Sequence, residues 1–124
     1  MTKIFAKVSR TSEFEKDLKK LLKRYRSLEE DLDVFITAQL NLFHKQHIDN
    51  HGIFRMNNLD IAHPKIFKAK KFACKALRGL GAASGIRVIY AYYEEQDHIE
   101  LVQIYFKADD ENEDRARIKA LYGK

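Results

Sequence analysis

The chain has 124 residues, a net charge of +5, ordinary hydrophobic content, one proline and one cysteine. That length supports one domain with one core, spanning residues 1–124. No apolar run approaches bilayer length, and the opening "MTKIFAKVSRTSEFEKD" meets charge too early for a secretory signal. The lone Cys74 closes no internal disulfide, so a cytoplasmic protein is expected.

"KIFAKVS" (3–9) alternates as a short strand, with Ile4, Ala6 and Val8 on one face and Phe5 on the other. Ser12 with Glu15 forms a capping-box pattern. Phe14, Leu18, Leu21, Leu22 and Tyr25 then make one helical stripe. Ser27 with Glu30 repeats the cap, ahead of a second stripe at Leu28, Leu32, Phe35, Ile36, Leu40 and Phe43. So little chain separates the two helices that they fold back on each other or bend sharply.

"DNHG" (49–52) ends the helical half, and Ile53 to Met56 is open between strand and loop. From Lys65 the period changes to two, and a strand is expected in which Phe72, Cys74 and Ala76 share one face and Lys71, Ala73 and Lys75 the other. "IRVIYAYY" (86–93) and "IELVQIYFK" (99–107) are strands rich in β-branched and aromatic residues, joined by a turn at "EEQDH". The tail predicts a short helix carrying Ile118 and Leu121, closed by Gly123. The order is β-α-α-β-β-β-α: an α+β fold with an antiparallel meander packed on a helical hairpin. The helices cover one face of the sheet and leave the other available.

Between Ile61 and Tyr93 there is no Asp or Glu, while Lys65, Lys68, Lys70, Lys71, Lys75, Arg78 and Arg87 are all basic. Elsewhere acidic residues outnumber basic ones, so the positive excess sits in this segment. Concentrated cation attracts phosphate backbones or an acidic protein; the alternative is a solvated charge run. Arg87 stands inside an apolar strand, where it either reaches a polyanion on the open face or packs its stem and pairs locally. His98, at a strand start, is a candidate proton acceptor. His44, His47 and His51 end a helix and enter a turn with no cysteine ligand beside them, so no metal is expected. "GLGAASG" joins two strands, not a strand to a helix, so it is no nucleotide loop and no cofactor is expected.

The basic strand, the small-residue loop ending "SGIRVIY" (84–90) and the strand ending "IYFK" (104–107) resemble the RelE/ParE toxins of type II toxin–antitoxin modules. The resemblance implies a small cytoplasmic toxin neutralised by an antitoxin protein. RelE-type members cut messenger RNA in the ribosome, and ParE-type members poison DNA gyrase. By resemblance Arg87 contacts the scissile region of the RNA. Lys71, Lys75 and Arg78 supply further catalytic cations, Lys68, Lys70 and Lys107 bind RNA, and cleavage by 2′-OH attack needs no metal. Where RelE has a basic residue after that lysine this chain has Ala108, Asp109 and Asp110, and RelE's tyrosine a few residues on has Asp114 in its approximate place. Those departures, with six basic residues between Lys16 and Arg26, point toward gyrase inhibition. A non-catalytic RNA- or protein-binding module is the third reading.

Overall fold

The computed structural model describes residues 4–57, 59–77 and 83–123. In chain order the elements are β1 (Lys7–Arg10), α1 (Ser12–Leu22), α2 (Leu28–Val34), β2 (Ile53–Arg55), β3 (Lys65–Ala69), β4 (Ile86–Tyr93), β5 (His98–Phe106) and α3 (Arg115–Tyr122). Past Val34 the second helix continues as a π-wound segment, Phe35–Lys45, whose end is closed by a Gln46 N–H donating to the Asn41 carbonyl five residues back. One sheet runs β1-β5-β4-β3-β2, antiparallel except for the parallel β1–β5 pair. The α+β meander on a helical hairpin is therefore present, with β2 as an additional short strand.

Local chemistry sets the helix starts. Thr11, not Ser12, caps α1, its hydroxyl accepting from the Phe14 N–H at 3.1 Å, a contact worth about 1 kcal/mol. Phe14, Leu18 and Leu21 are buried as the stripe implied, each contributing about 1.5–3 kcal/mol. Ser27 does not cap with its side chain. Its hydroxyl donates to the buried Asp31 carboxylate at 2.6 Å and accepts from the Ala76 N–H at 3.0 Å.

That contact explains why no strand forms at 71–76. Asp31 also accepts the Lys75 N–H, at 3.2 and 3.4 Å to its two oxygens. Residues 75 and 76 are thus held by the first turn of α2 and not by a neighbouring strand. The ladder lies earlier, at Lys65–Ala69, and Phe72 keeps one isolated bridge to Ala83. Phe72 and Cys74 are buried nonetheless, Phe72 against Phe35 with ring centroids 5.2 Å apart.

The first strand is displaced for a similar reason. Its partner β5 begins at His98, opposite Lys7, so residues before Lys7 have no ladder to join. Ala6 donates its N–H to the Asp97 carboxylate instead. Phe5 turns into the core, while Val8 is 44% exposed.

The second face of the sheet is not open. One face carries Ile86, Val88, Tyr90, Ile99, Leu101 and Ile104 under the helical hairpin. The other carries Ile66, Ile89, Ala91, Val102 and Tyr105, covered by Leu59 and by Ile118 of α3. Arg117 fastens α3 there, donating to both Asp17 oxygens at 2.7 and 3.2 Å and to the Val102 carbonyl at 2.9 Å. Val102 is the extra residue of a bulge: Ile89 pairs with Gln103 and Tyr90 with Leu101.

Candidate functional site

The uncovered end of that second face holds the basic residues the fold brings together. Arg87 pairs across the ladder with Tyr105 of β5. On its other side the chain leaving β3 passes at Lys70, whose carbonyl accepts from the Arg87 Nη1 at 2.6 Å. Lys107, one residue beyond β5, donates its backbone N–H to the Gly85 carbonyl at 2.9 Å, next to the start of β4. Gly85 has φ +89°, and a Cβ there would stand 2.9 Å from the Phe106 ring, so glycine is what lets the turn meet this strand end. Arg87 is half-buried as a residue, its guanidinium is fixed at one corner by a neutral carbonyl in an exposed contact, and it has no carboxylate partner among the described residues.

The other predicted site residues are dispersed. Lys68, on the same face, is committed to Glu113 at 2.7 Å, with side chains only 16% and 7% exposed. Burial pulls its ammonium down, but the Glu113 contact and the nearby Tyr105 raise it overall. Lys71 does not share a strand face with Lys75: its Nζ donates to the Asn50 carbonyl at 2.8 Å, while Lys75 pairs with Glu30 on α2 at 2.8 Å. Lys70 lies with its Nζ 5.0 Å over the Phe54 ring. Arg78 lies outside the described residues. His98 sits opposite Tyr93, six residues along β4 from Arg87, or about 20 Å at about 3.3 Å per residue. It stacks on Tyr93 and shares a 2.7 Å hydrogen bond with the Ser9 hydroxyl, so it does not join the Arg87 cluster.

Three of the seven cations of the 61–93 segment are answered by carboxylates from elsewhere in the chain. Glu94, Glu113 and Glu30 pair with Lys65, Lys68 and Lys75. Among the described residues of the segment, Arg87, Lys70 and Lys71 keep no carboxylate partner, and Lys107 follows the strand end beside the Gly85 turn.

No protein-family model and no curated relative matches the sequence. Among solved structures the chain is similar to a metal-bound toxin from Helicobacter pylori. The TM-score is 0.50 at 15% identity, covering 84% of this chain and 97% of that one. The likeness is one of fold. The archaeal RelE–RelB complex from Pyrococcus horikoshii OT3 is also similar, with a TM-score of 0.47 and 15% identity over 82% of this chain and 93% of that one. So is a mutant E. coli toxin RelE in the free state, with a TM-score of 0.46 and 13% identity over 86% and 88%.

Two further residues shape the site. Tyr105 is buried and its hydroxyl has no hydrogen-bond partner. Burial pushes its pKa up, opposed by the Lys68 and Arg87 cations, so it is a neutral group beside the arginine and not a ready base. Glu113 neutralises Lys68, and burial working against its charge is outweighed by that lysine. Both depend on strand register and on where α3 docks. Asp114, in the approximate place of RelE's tyrosine, caps α3 by accepting from the Arg117 N–H at 3.0 Å. Asp109 is drawn to Arg24 of the hairpin at 2.5 Å.

The three histidines of the helix end separate. His44 is enclosed by Phe5, Phe43, Phe67, Tyr90 and Tyr92, and its Nε2 shares a 2.7 Å hydrogen bond with the Tyr90 hydroxyl. His47 and His51 are exposed on the following loop in left-handed backbone. Among the described residues no group of three metal-ligating side chains is brought together, and no helix is long and apolar enough to cross a membrane.

Proposed function

We propose that this chain is the toxin of a type II toxin–antitoxin module and that it cuts messenger RNA on the ribosome. The observation that carries the reading is Arg87: a half-buried residue whose guanidinium is oriented by the Lys70 carbonyl, with no carboxylate partner among the described residues, at the end of a RelE-like sheet. A phosphodiester is the ligand this geometry suits, because the planar fork offers two parallel N–H donors to two phosphate oxygens. In cleavage the ribose 2′-hydroxyl gives its proton to solvent water as its oxygen bonds to phosphorus, the bond to the 5′-oxygen breaks, and that oxygen takes up a proton from water to leave a 2′,3′-cyclic phosphate. Charge builds on the equatorial oxygens between those events, and Arg87 would stabilise it, with Lys70 and Lys107 flanking. Removing one such preorganised donor typically costs about 10²–10³ in rate. The partner that keeps the toxin inactive is an antitoxin protein.

The separation of His98 from Arg87 favours a second reading, a toxin that binds a protein such as DNA gyrase without cleaving RNA. Inducible expression in bacteria separates the two. Wild type is expected to arrest growth and generate new, translation-dependent 5′ ends in abundant messages by primer extension, and Arg87→Ala is expected to do neither. Arrest with intact messages would overturn the nuclease reading and support the protein target.

A further inference from the structure

The middle of the second helix's outer face carries no charge. Past Ser12, α1 presents Glu13, Glu15, Lys16, Lys19 and Lys20 at its exposed positions, as a solvated helix face does. The second helix and its π-wound continuation instead present Val34, Thr37, Ala38 and Leu42. Residues 34–44 contain no Asp, Glu, Lys or Arg, in a chain that is 33% charged. Val34 is 52% exposed and Leu42 36%. Ile48, also 52% exposed, donates its N–H to the Leu42 carbonyl at 2.8 Å, which brings it back beside Leu42. The other large apolar side chains left exposed among the described residues, Val8, Phe54 and Leu121, lie singly on β1, β2 and α3. Scattered apolar exposure is ordinary, whereas several such side chains on one uncharged face mark an interface.

The pattern of this face is palindromic. About Ala38, Val34 and Leu42 stand at equal spacing on either side. Beyond Val34 lie the acidic Asp33, Glu30 and Glu29, and beyond Leu42 lie the basic Lys45 and then His47. We propose that the face pairs with the same face of a second copy of this chain, antiparallel about a two-fold axis at Ala38. Val34 then packs on Leu42 of the partner subunit, and the small Ala38 side chains let the helix axes approach closely. Asp33, which makes no ion pair among the described residues, comes within reach of Lys45 of the partner subunit, and the two helix dipoles oppose. A parallel pairing would set the acidic ends against each other. An isologous contact of this kind closes at two copies. An anionic membrane fits less well, because it favours lysine and arginine along the polar face of a helix, and here one end is acidic. An unrelated protein would need no palindrome. A face of this size falls short of the about 20–30 residues a side of a standard interface, so the dimer is weak, with a Kd of about 10–100 μM. The helices lie on the face of the sheet opposite Arg87, so pairing leaves that site uncovered, and the inference does not rest on the function proposed above.

Sedimentation equilibrium of the full chain, from about 1 to about 500 μM, is the test, and a monomer–dimer equilibrium is expected. Ala38→Lys puts two ammonium groups at the axis and keeps a good helix former. It should weaken the dimer at least about tenfold, while circular dichroism and the thermal midpoint stay unchanged. Cross-linking with oxidised glutathione reads the register. Ala38→Cys should form a disulfide-linked dimer, because the two copies meet at the axis, and Val34→Cys should not. Val34→Cys/Leu42→Cys should link again. Cys74 is buried, so wild type serves as the unlinked control. A chain monomeric at every concentration would overturn the proposal and leave the face to a different protein. So would a dimer indifferent to Ala38→Lys, equal linking by Val34→Cys and Ala38→Cys, or growth past two copies.

Discussion

Enclosing His44 in aromatic rings should make the protein acid-sensitive through one identifiable residue. Burial lowers the imidazole from its ordinary 6.5 to about 4, with Glu94 and Asp97 opposing and Lys45 and Lys65 reinforcing. The folded pKa lies below the unfolded one, so the unfolded chain binds the extra proton. Stability is then complete above about pH 6.5 and lost as pH falls toward about 4. Between about pH 7 and about pH 4.5 the loss from this group is on the order of 2 kcal/mol, a large part of a typical total of about 5–15 kcal/mol. His44→Phe alone is a poor control, because it strands the buried Tyr90 hydroxyl and costs about 1–3 kcal/mol at every pH. The double variant His44→Phe/Tyr90→Phe removes donor and acceptor together and should lie within about 1 kcal/mol of wild type at neutral pH. Urea unfolding of both proteins at the two pH values measures the difference, since the remaining carboxylates are common to both. If wild type loses no more stability than the double variant on acidification, the argument from burial is wrong.

Glu113→Ala should destabilise by about 3 kcal/mol by leaving Lys68 buried and unpaired, while Lys68→Met/Glu113→Leu should recover most of that. The Glu113 carboxyl is held low, so its contribution is complete above the ordinary glutamate range of about 4.3 and lost as pH falls below it. Thermal unfolding checks both statements, and an unchanged midpoint in Glu113→Ala would refute them. Gly85→Ala places a Cβ against Phe106 in left-handed backbone and should cost about 1–2 kcal/mol before any clash is counted. Denaturant midpoints measure it, and a neutral effect would show that the turn relaxes.

Periodicity located the elements whose neighbours are also close in sequence. The runs 86–93 and 99–107 became β4 and β5 within a residue, and the Phe14 and Leu28 stripes became the hairpin, because each buries a face that its own pattern defines. Failures fell where a distant side chain outcompetes a ladder. Asp31 and Ser27 hold Lys75 and Ala76, so an alternating segment is buried without being a strand. Arg87 was legible as an anomaly among apolar residues. That Lys68, Lys71 and Lys75 are engaged elsewhere was not, because Glu113, Asn50 and Glu30 lie 45, 21 and 45 residues away along the chain. Counting charge by segment overstated the cation at 61–93 and understated it on α1, whose acids the fold diverts to Arg10 and Arg117.

The strands at the two sides of the sheet are its shortest, four residues in β1 and three in β2, and they carry Lys7, Arg10 and Arg55. Unpaired strand edges template aggregation, and short, cationic ones resist it. A second copy adding edge to edge would gain few hydrogen bonds and bring like charges together. The protein should therefore stay dispersed at concentrations where a long apolar edge would seed fibres, and a partner must gain its affinity from the helices or the sheet end, not by extending the ladder.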